Sequence, residues 1–211
     1  MSAPSISSLI TGRVVPVVVM HDPTKAERLG EALLRGGITC AEITLRTPGA
    51  LAAISAMSAN TDMLVGAGTV VRAQEVDAVA AAGARFVVSP GLSPTVVIRC
   101  RELGLAVLPG VVTATEVMAA LDLGLVELKF FPASTSGGSE AVKALGGPFA
   151  QVSFIPTGGI GLANAADYLA LPNVSAIGGS WLTPPALLAA DDFDAITALA
   201  AATAAATSGE C

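Results

Sequence analysis

Short apolar, β-branched runs alternate along this chain with stretches whose apolar residues recur at helical spacing, and turn residues separate the two. Residues 14–19 predict the first strand. Asp22-Pro23-Thr24 then opens a helix that runs to Arg35 and stops at Gly36-Gly37. The second strand is predicted over 40–45, with a helix after Thr47-Pro48-Gly49. The third covers 63–68 and its helix 72–82. The fourth covers 86–90, and Ser93-Pro94 opens its helix. The fifth covers 106–109, with a helix over 115–123. The sixth covers 125–131, followed by a loop and a helix over 139–145. The seventh covers 153–156 and its helix 163–171. The eighth covers 174–177, followed by helices over 185–190 and 193–206. Residues 5–10 predict a short leading helix.

Strands alternating with helices predict an α/β fold with a parallel sheet. Eight such units predict a closed (β/α)8 TIM barrel, although 211 residues fall short of the roughly 250 usual for that fold. An open doubly wound sheet is the alternative. No linker, low-complexity insert or composition break divides the chain, so residues 1–211 are expected to form a single domain. Side-chain parity favours closure. In the second strand Cys40, Glu42, Thr44 and Arg46 point one way, and Ala41, Ile43 and Leu45 the other. In the sixth, Glu127, Lys129 and Phe131 share one side, and Val126, Leu128 and Phe130 the other. The apolar sides are expected to meet the helices and the polar sides the barrel axis.

Hydrophobic residues make up 53% of the chain and charged residues only 13%, which fits strands buried on both faces. The net charge of -6 argues against a nucleic-acid partner, whose phosphates require basic patches. No apolar run is long enough to span a bilayer, so no membrane partner is expected. Residues 1–11 carry no basic region ahead of an apolar stretch, so no signal peptide is expected. Cys40, Cys100 and Cys211 form an odd set without CxxC spacing. The expectation is a reduced cytoplasmic protein without structural disulfides.

Of the three lysines, Lys25 sits at a helix start and Lys143 on a solvated helix face; only Lys129 lies within an apolar strand. An ammonium in apolar surroundings loses hydration, which favours the neutral amine. A neutral amine can attack a carbonyl and form a Schiff base. A structural salt bridge with a carboxylate is the competing reading. Glu42, Arg46 and Lys129 are aimed at one enclosed volume near the C-terminal strand ends, where barrel enzymes carry their active sites. Lys129 would attack the keto carbon of a 2-oxo acid. Arg46 would hold its carboxylate with a two-pronged match. Thr69 would add a hydroxyl contact, and Glu42 would shuttle protons. The iminium is itself an electron sink, so neither metal nor cofactor is expected. A phosphosugar epimerase or isomerase on the same barrel is the alternative from another class, and a metal-dependent one wants more than a single histidine.

Gly158 and Gly159 follow the seventh strand, and Gly178, Gly179 and Ser180 the eighth. Glycine lets backbone N–H groups approach an anion, and barrel enzymes often bind phosphate in these two loops. Glu127 points inward one layer below Lys129, with Arg13 as its candidate partner. His21 reads as a solvated loop residue, Trp181 as core beside the glycine loop, and Met20 and Met57 as gap fillers.

Six motifs occur in a specific order: Glu42-Ile43-Thr44-Leu45-Arg46-Thr47, Gly66-Ala67-Gly68-Thr69, Ser89-Pro90-Gly91, Lys129-Phe130-Phe131-Pro132-Ala133, Pro156-Thr157-Gly158-Gly159-Ile160 and Gly178-Gly179-Ser180-Trp181. Over residues 14–182 the chain resembles the bacterial 2-keto-3-deoxy-6-phosphogluconate (KDPG) aldolase family, with its bifunctional 4-hydroxy-2-oxoglutarate (KHG) aldolases. The resemblance implies a lysine Schiff-base lyase of the Entner-Doudoroff pathway. Such an enzyme releases pyruvate and D-glyceraldehyde 3-phosphate from 2-dehydro-3-deoxy-6-phosphogluconate. It implies Lys129 as the Schiff-base lysine and Glu42 as the acid–base residue. Arg46, Thr69 and Pro90 are implied around the pyruvate portion, and Gly158, Gly159, Gly179 and Ser180 on the phosphate side. It also implies a homotrimer. The galactonate epimer and 4-hydroxy-2-oxoglutarate stay open as substrates, with Thr157 and Ser180 biasing the choice.

Overall fold

The structure is a computed structural model and describes residues 5–207. Cys211 therefore lies outside the described residues. The strands are β1 (Val14–Val18), β2 (Cys40–Thr44), β3 (Leu64–Gly68), β4 (Phe86–Val88), β5 (Ala106–Leu108), β6 (Gly110–Val111), β7 (Glu127–Phe130), β8 (Ser153–Pro156) and β9 (Ile177–Gly179). Between them run α1 (Ala26–Arg35), α2 (Ala50–Ser58), α3 (Ala73–Ala81), α4 (Pro94–Glu102), α5 (Ala114–Asp122), α6 (Gly138–Gly146) and α7 (Ala165–Leu169). Helices α8 (Pro185–Ala189) and α9 (Phe193–Thr207) close the described chain.

All the pairings are parallel. One sheet runs β5-β4-β3-β2-β1-β9 and the other β6-β7-β8. The predicted fifth strand, 106–109, ends at Leu108, and an unpredicted short strand, β6, follows Pro109, which has no N–H to give a ladder. β5 pairs with β4, and β6 with β7. Pro109 still contributes its carbonyl, which accepts from Lys129 N at 2.9 Å. At the other seam, isolated bridges Phe154↔Val174 and Thr157↔Gly178 join β8 to the β9 region. The two sheets thus close into a (β/α)8 barrel.

Two apolar clusters follow from strand parity. Val18, Ile43, Ala67, Val87, Leu128 and Phe130 pack outward under the helices. Val15, Cys40, Phe86, Val88, Leu108, Ile155 and Ala176 fill the barrel interior. Val126 departs from its predicted place under the helices: it lies just before β7 and is 52% exposed. The leading segment is shorter than the predicted helix. It makes one turn, in which Leu9 N and Ile10 N donate to Ile6 O. Its Ile6 side chain belongs to the interior cluster and stops the lower end of the barrel.

The alanine-rich α9 buries Phe193, Ile196, Ala200 and Thr203, spaced at three and four residues along one face. It lies so close to Gly36 that a methyl group there would fall 2.4 Å from Ala200 Cβ. Trp181 Nε1 donates to Thr203 Oγ1 at 3.1 Å, so the indole ties the loop after β9 to this helix, as the core reading expects. No helix among the described residues is long and apolar enough to cross a membrane.

Candidate active site

Lys129 sits on β7 in register with Gly110 on one side and Ile155 on the other. Glu42 lies on β2. Parity turns both side chains inward, and Lys129 Nζ stands 3.5 Å from Glu42 Oε1. Both are almost fully enclosed, with side-chain exposures of 5% and 4%. The Phe131 ring lies under the amine, 4.9 Å from Nζ to the centroid, and covers its other side with an apolar face. A single ion pair in dry surroundings is costly to form and weak as a stabiliser, so its presence here asks for a use.

Arg46 departs from the expected enclosure. β2 ends at Thr44, and Arg46 stands exposed on the rim above the pair. Its Nε donates to Thr69 Oγ1 at 3.2 Å, which aims the guanidinium along the mouth of the barrel. Thr69 follows β3 with φ of 60°, a left-handed conformation that is strained for a β-branched residue. Thr44 uses its hydroxyl locally, donating to Val18 O at 3.0 Å. Pro90 follows β4 on the same rim, and its carbonyl would lie 2.2 Å from a methyl group on Gly110. That close approach requires glycine at 110.

The turn after β8 carries Gly158 and Gly159 at φ of 103° and 72°. Gly158 O accepts from Ser134 N at 3.0 Å. Gly159 O accepts from Ser134 Oγ at 2.8 Å and from Asn164 Nδ2 at 3.0 Å. In a trans peptide the N–H points opposite the preceding carbonyl. The N–H groups of Gly159 and Ile160 are therefore presented on the side away from Ser134, an arrangement suited to an anion. Gly179 is buried against the Trp181 ring, whereas Ser180 is exposed. Sequence reasoning missed Ser134 and Asn164, which hold this turn. The Gly161-x-x-Asn164 spacing was the available signal: Asn164 Oδ1 accepts from Gly161 N at 2.9 Å just ahead of α7.

Glu127 does not meet Lys129 or Arg13. Its Oε2 accepts from Ile6 N at 2.5 Å, and both oxygens accept from Ser7 N at 3.1 and 3.2 Å. Arg13 instead donates to the carbonyls of Leu169, Val174 and Ser175. His21 is exposed at the rim of a recess of about 110 Å³ between the end of β1 and α8. Lys25 pairs with Asp191 at 2.9 Å. Among the described residues, no three His, Cys, Asp or Glu side chains gather into a metal-holding group.

The arrangement offers a nucleophilic nitrogen, an adjacent carboxylate, a rim guanidinium and an amide-lined turn, all at the C-terminal strand ends. Comparison with known proteins places the chain in a family. Residues 6–199 match the family model for KDPG and KHG aldolase. The KHG/KDPG aldolase of Escherichia coli K12 is 48% identical over 195 residues, 92% of each chain. The 2-dehydro-3-deoxy-phosphogluconate aldolase of Treponema pallidum is 47% identical over 188 residues, 89% of this chain and 90% of its own. The KDPG aldolase of Zymomonas mobilis superposes with a TM-score of 0.91 at 43% identity, covering 96% of this chain and 97% of its own. That of Legionella pneumophila, holding pyruvate as a covalent carbinolamine, superposes with a TM-score of 0.88 at 41% identity, covering 92% and 94%. With a barrel, a buried amine–carboxylate pair and near-half identity over nine-tenths of its length, this chain belongs to the KDPG and KHG aldolase family.

Proposed function

We propose that the protein cleaves 2-dehydro-3-deoxy-6-phosphogluconate to pyruvate and D-glyceraldehyde 3-phosphate through a Schiff base on Lys129. The observation that carries this reading is the enclosed pair, with Lys129 Nζ 3.5 Å from Glu42 Oε1. Glu42 takes a proton from the paired Lys129 ammonium; the neutral amine so formed attacks C2 of the substrate, and Glu42 passes that proton to the forming hydroxyl. A second transfer through Glu42 expels that hydroxyl as water and leaves the iminium. Glu42, again a carboxylate, takes the proton of the C4 hydroxyl. The C3–C4 bond then breaks, its electrons pass to the nitrogen, and the aldehyde departs. Glu42 returns the proton to C3 of the enamine, and water hydrolyses the iminium to pyruvate and free Lys129.

The Arg46–Thr69 hydrogen bond supports carboxylate recognition at the rim, and Pro90 walls the same side. The amides of Gly159 and Ile160, with Gly158, Gly179 and Ser180 around them, form the phosphate side. The carbinolamine held by the Legionella relative supports the covalent route. A second substrate, 4-hydroxy-2-oxoglutarate, is favoured by the double name of the E. coli relative; its distal carboxylate would take the place of the phosphate.

We read the working form as a homotrimer of single-domain chains spanning residues 1–211. Large apolar side chains left exposed on consecutive helices support association, with Ile98 at 50% and Met118 at 59%. Cys40 and Cys100 are buried free thiols, which suits the cytoplasm. Sedimentation at three times the chain mass tests the assembly. Incubation with pyruvate and borohydride, then peptide mapping, tests the chemistry: a three-carbon adduct on Lys129 is expected, and unlabelled Lys129 refutes the mechanism. Coupled assays with the phosphogluconate, its galactonate epimer and 4-hydroxy-2-oxoglutarate rank the substrates.

A further inference from the structure

Two inward positions of β3 carry no side chain. Gly66 stands in register with Glu42, and Gly68 with Thr44. Neither glycine has a positive φ, so the backbone at each accepts an L side chain without strain. The space is occupied by neighbours instead. A methyl group on Gly66 would fall 2.1 Å from Phe86 Cε2, inside a core ring. A methyl group on Gly68 would fall 2.0 Å from Glu42 Oε1 and 2.7 Å from its Cδ and Cγ. The carboxylate therefore lies in a notch that only glycine leaves open.

We propose that Gly68 is a positioning residue, which holds the Glu42 carboxylate against Lys129 by leaving it that notch. The inference rests on the aldolase reading above. A flexible Glu42 side chain can evade an added methyl, but only by swinging away from the lysine it stands beside at 3.5 Å. Proton transfer at C3 and C4 then loses its base, while Lys129 keeps its own place on β7. The two defects differ in size: the nitrogen still captures pyruvate, more slowly, because water can carry protons between nitrogen and oxygen, whereas carbon protonation loses its acid.

Three measurements on the full chain test this. They are exchange of pyruvate methyl protons in deuterium oxide, borohydride capture of pyruvate on Lys129, and a crystal structure of the variant. Gly68→Ala is expected to lower methyl exchange about a hundredfold or more, the usual contribution of a placed acid–base group. It is expected to reach full capture on prolonged incubation, though more slowly than wild type, and to show Glu42 Oε1 farther than 3.5 Å from Lys129 Nζ. Gly66→Ala is expected to lower Tm through Phe86 and leave exchange per folded molecule unchanged. In a Glu42→Ala background, Gly68→Ala is expected to change neither Tm nor residual exchange, since the notch is empty.

Wild-type exchange by Gly68→Ala, an equal loss in both backgrounds, or a carboxylate that stays beside Lys129 overturns the proposal. If Gly68→Ala alone fails to fold while Glu42→Ala/Gly68→Ala folds, the notch is upheld; if both fail, it is overturned. A wild-type protein that neither captures nor exchanges pyruvate overturns the aldolase reading itself, an outcome distinct from an unimpaired variant of an active enzyme.

Discussion

Glu127→Ala separates a structural carboxylate from a catalytic one. Glu127 points into the barrel from the same strand as Lys129, two residues below it, yet its oxygens bind Ile6 N at 2.5 Å and Ser7 N at 3.1 Å. Hydrogen bonds to a charged acceptor contribute roughly 1.5–3 kcal/mol each, and the Ile6 amide is buried. The Ile6 side chain, 1% exposed, adds roughly 1.5–3 kcal/mol if its segment comes away and water enters. Ser7 is exposed, so its bond belongs at the low end. The sum is about 4.5–7.5 kcal/mol, which for a chain of this size lowers Tm by about 10–30 °C.

Differential scanning calorimetry measures the loss, and a pyruvate-coupled assay below the transition measures turnover. Turnover per folded molecule is expected to stay near wild type. Ile6→Ala alone is expected to cost about 2–5 kcal/mol, and little more when added to Glu127→Ala, because both release the same plug. A Tm within about 2 °C of wild type, or a turnover defect without a stability loss, refutes the reasoning and returns Glu127 to the chemistry.

Glu42→Gln is expected to capture pyruvate under borohydride but to lose cleavage by about 10²–10⁴-fold in kcat. Wild-type turnover would remove Glu42 from the mechanism. Arg46→Lys keeps the charge and loses the planar fork, so KM for the keto acid is expected to rise about tenfold or more with kcat less affected; an unchanged KM contradicts a carboxylate-binding role. Burial pushes the thiols of Cys40 and Cys100 up to about 12. Only the thiolate reacts, so at pH 8 about one molecule in 10⁴ is in the reactive form. Native protein is expected to resist a disulfide reagent at these two positions and to react at once in guanidinium, and fast native labelling of either peptide refutes their burial.

The barrel and the facing of Glu42 and Lys129 were legible because a strand has a period of two. Once Ile43 and Leu128 are assigned to the helices, Glu42 and Lys129 must share the axis. The same rule fails where the strand stops. Arg46 lies past the end of β2, and its direction is set by Thr69 Oγ1 rather than by parity. Glu127 and Arg13 share the inward parity, but their partners are backbone groups more than a hundred positions away, which no local pattern announces. The break at Pro109 was foreseeable from the missing N–H, although not that Gly110 and Val111 would resume pairing on a different neighbour. Gly68 stands in the sequence only as part of Gly66-Ala67-Gly68-Thr69, and only three-dimensional packing shows what fills the space beside it.

Closure between β8 and β9 depends on two separate bridges instead of a continuous ladder. This junction also bears both glycine turns, so a phosphorylated ligand gripping the two would act as a staple across it. Amide hydrogen exchange should then be slowed by product most strongly at Thr157 and Gly178, linking occupancy of the mouth to the rigidity of the cylinder.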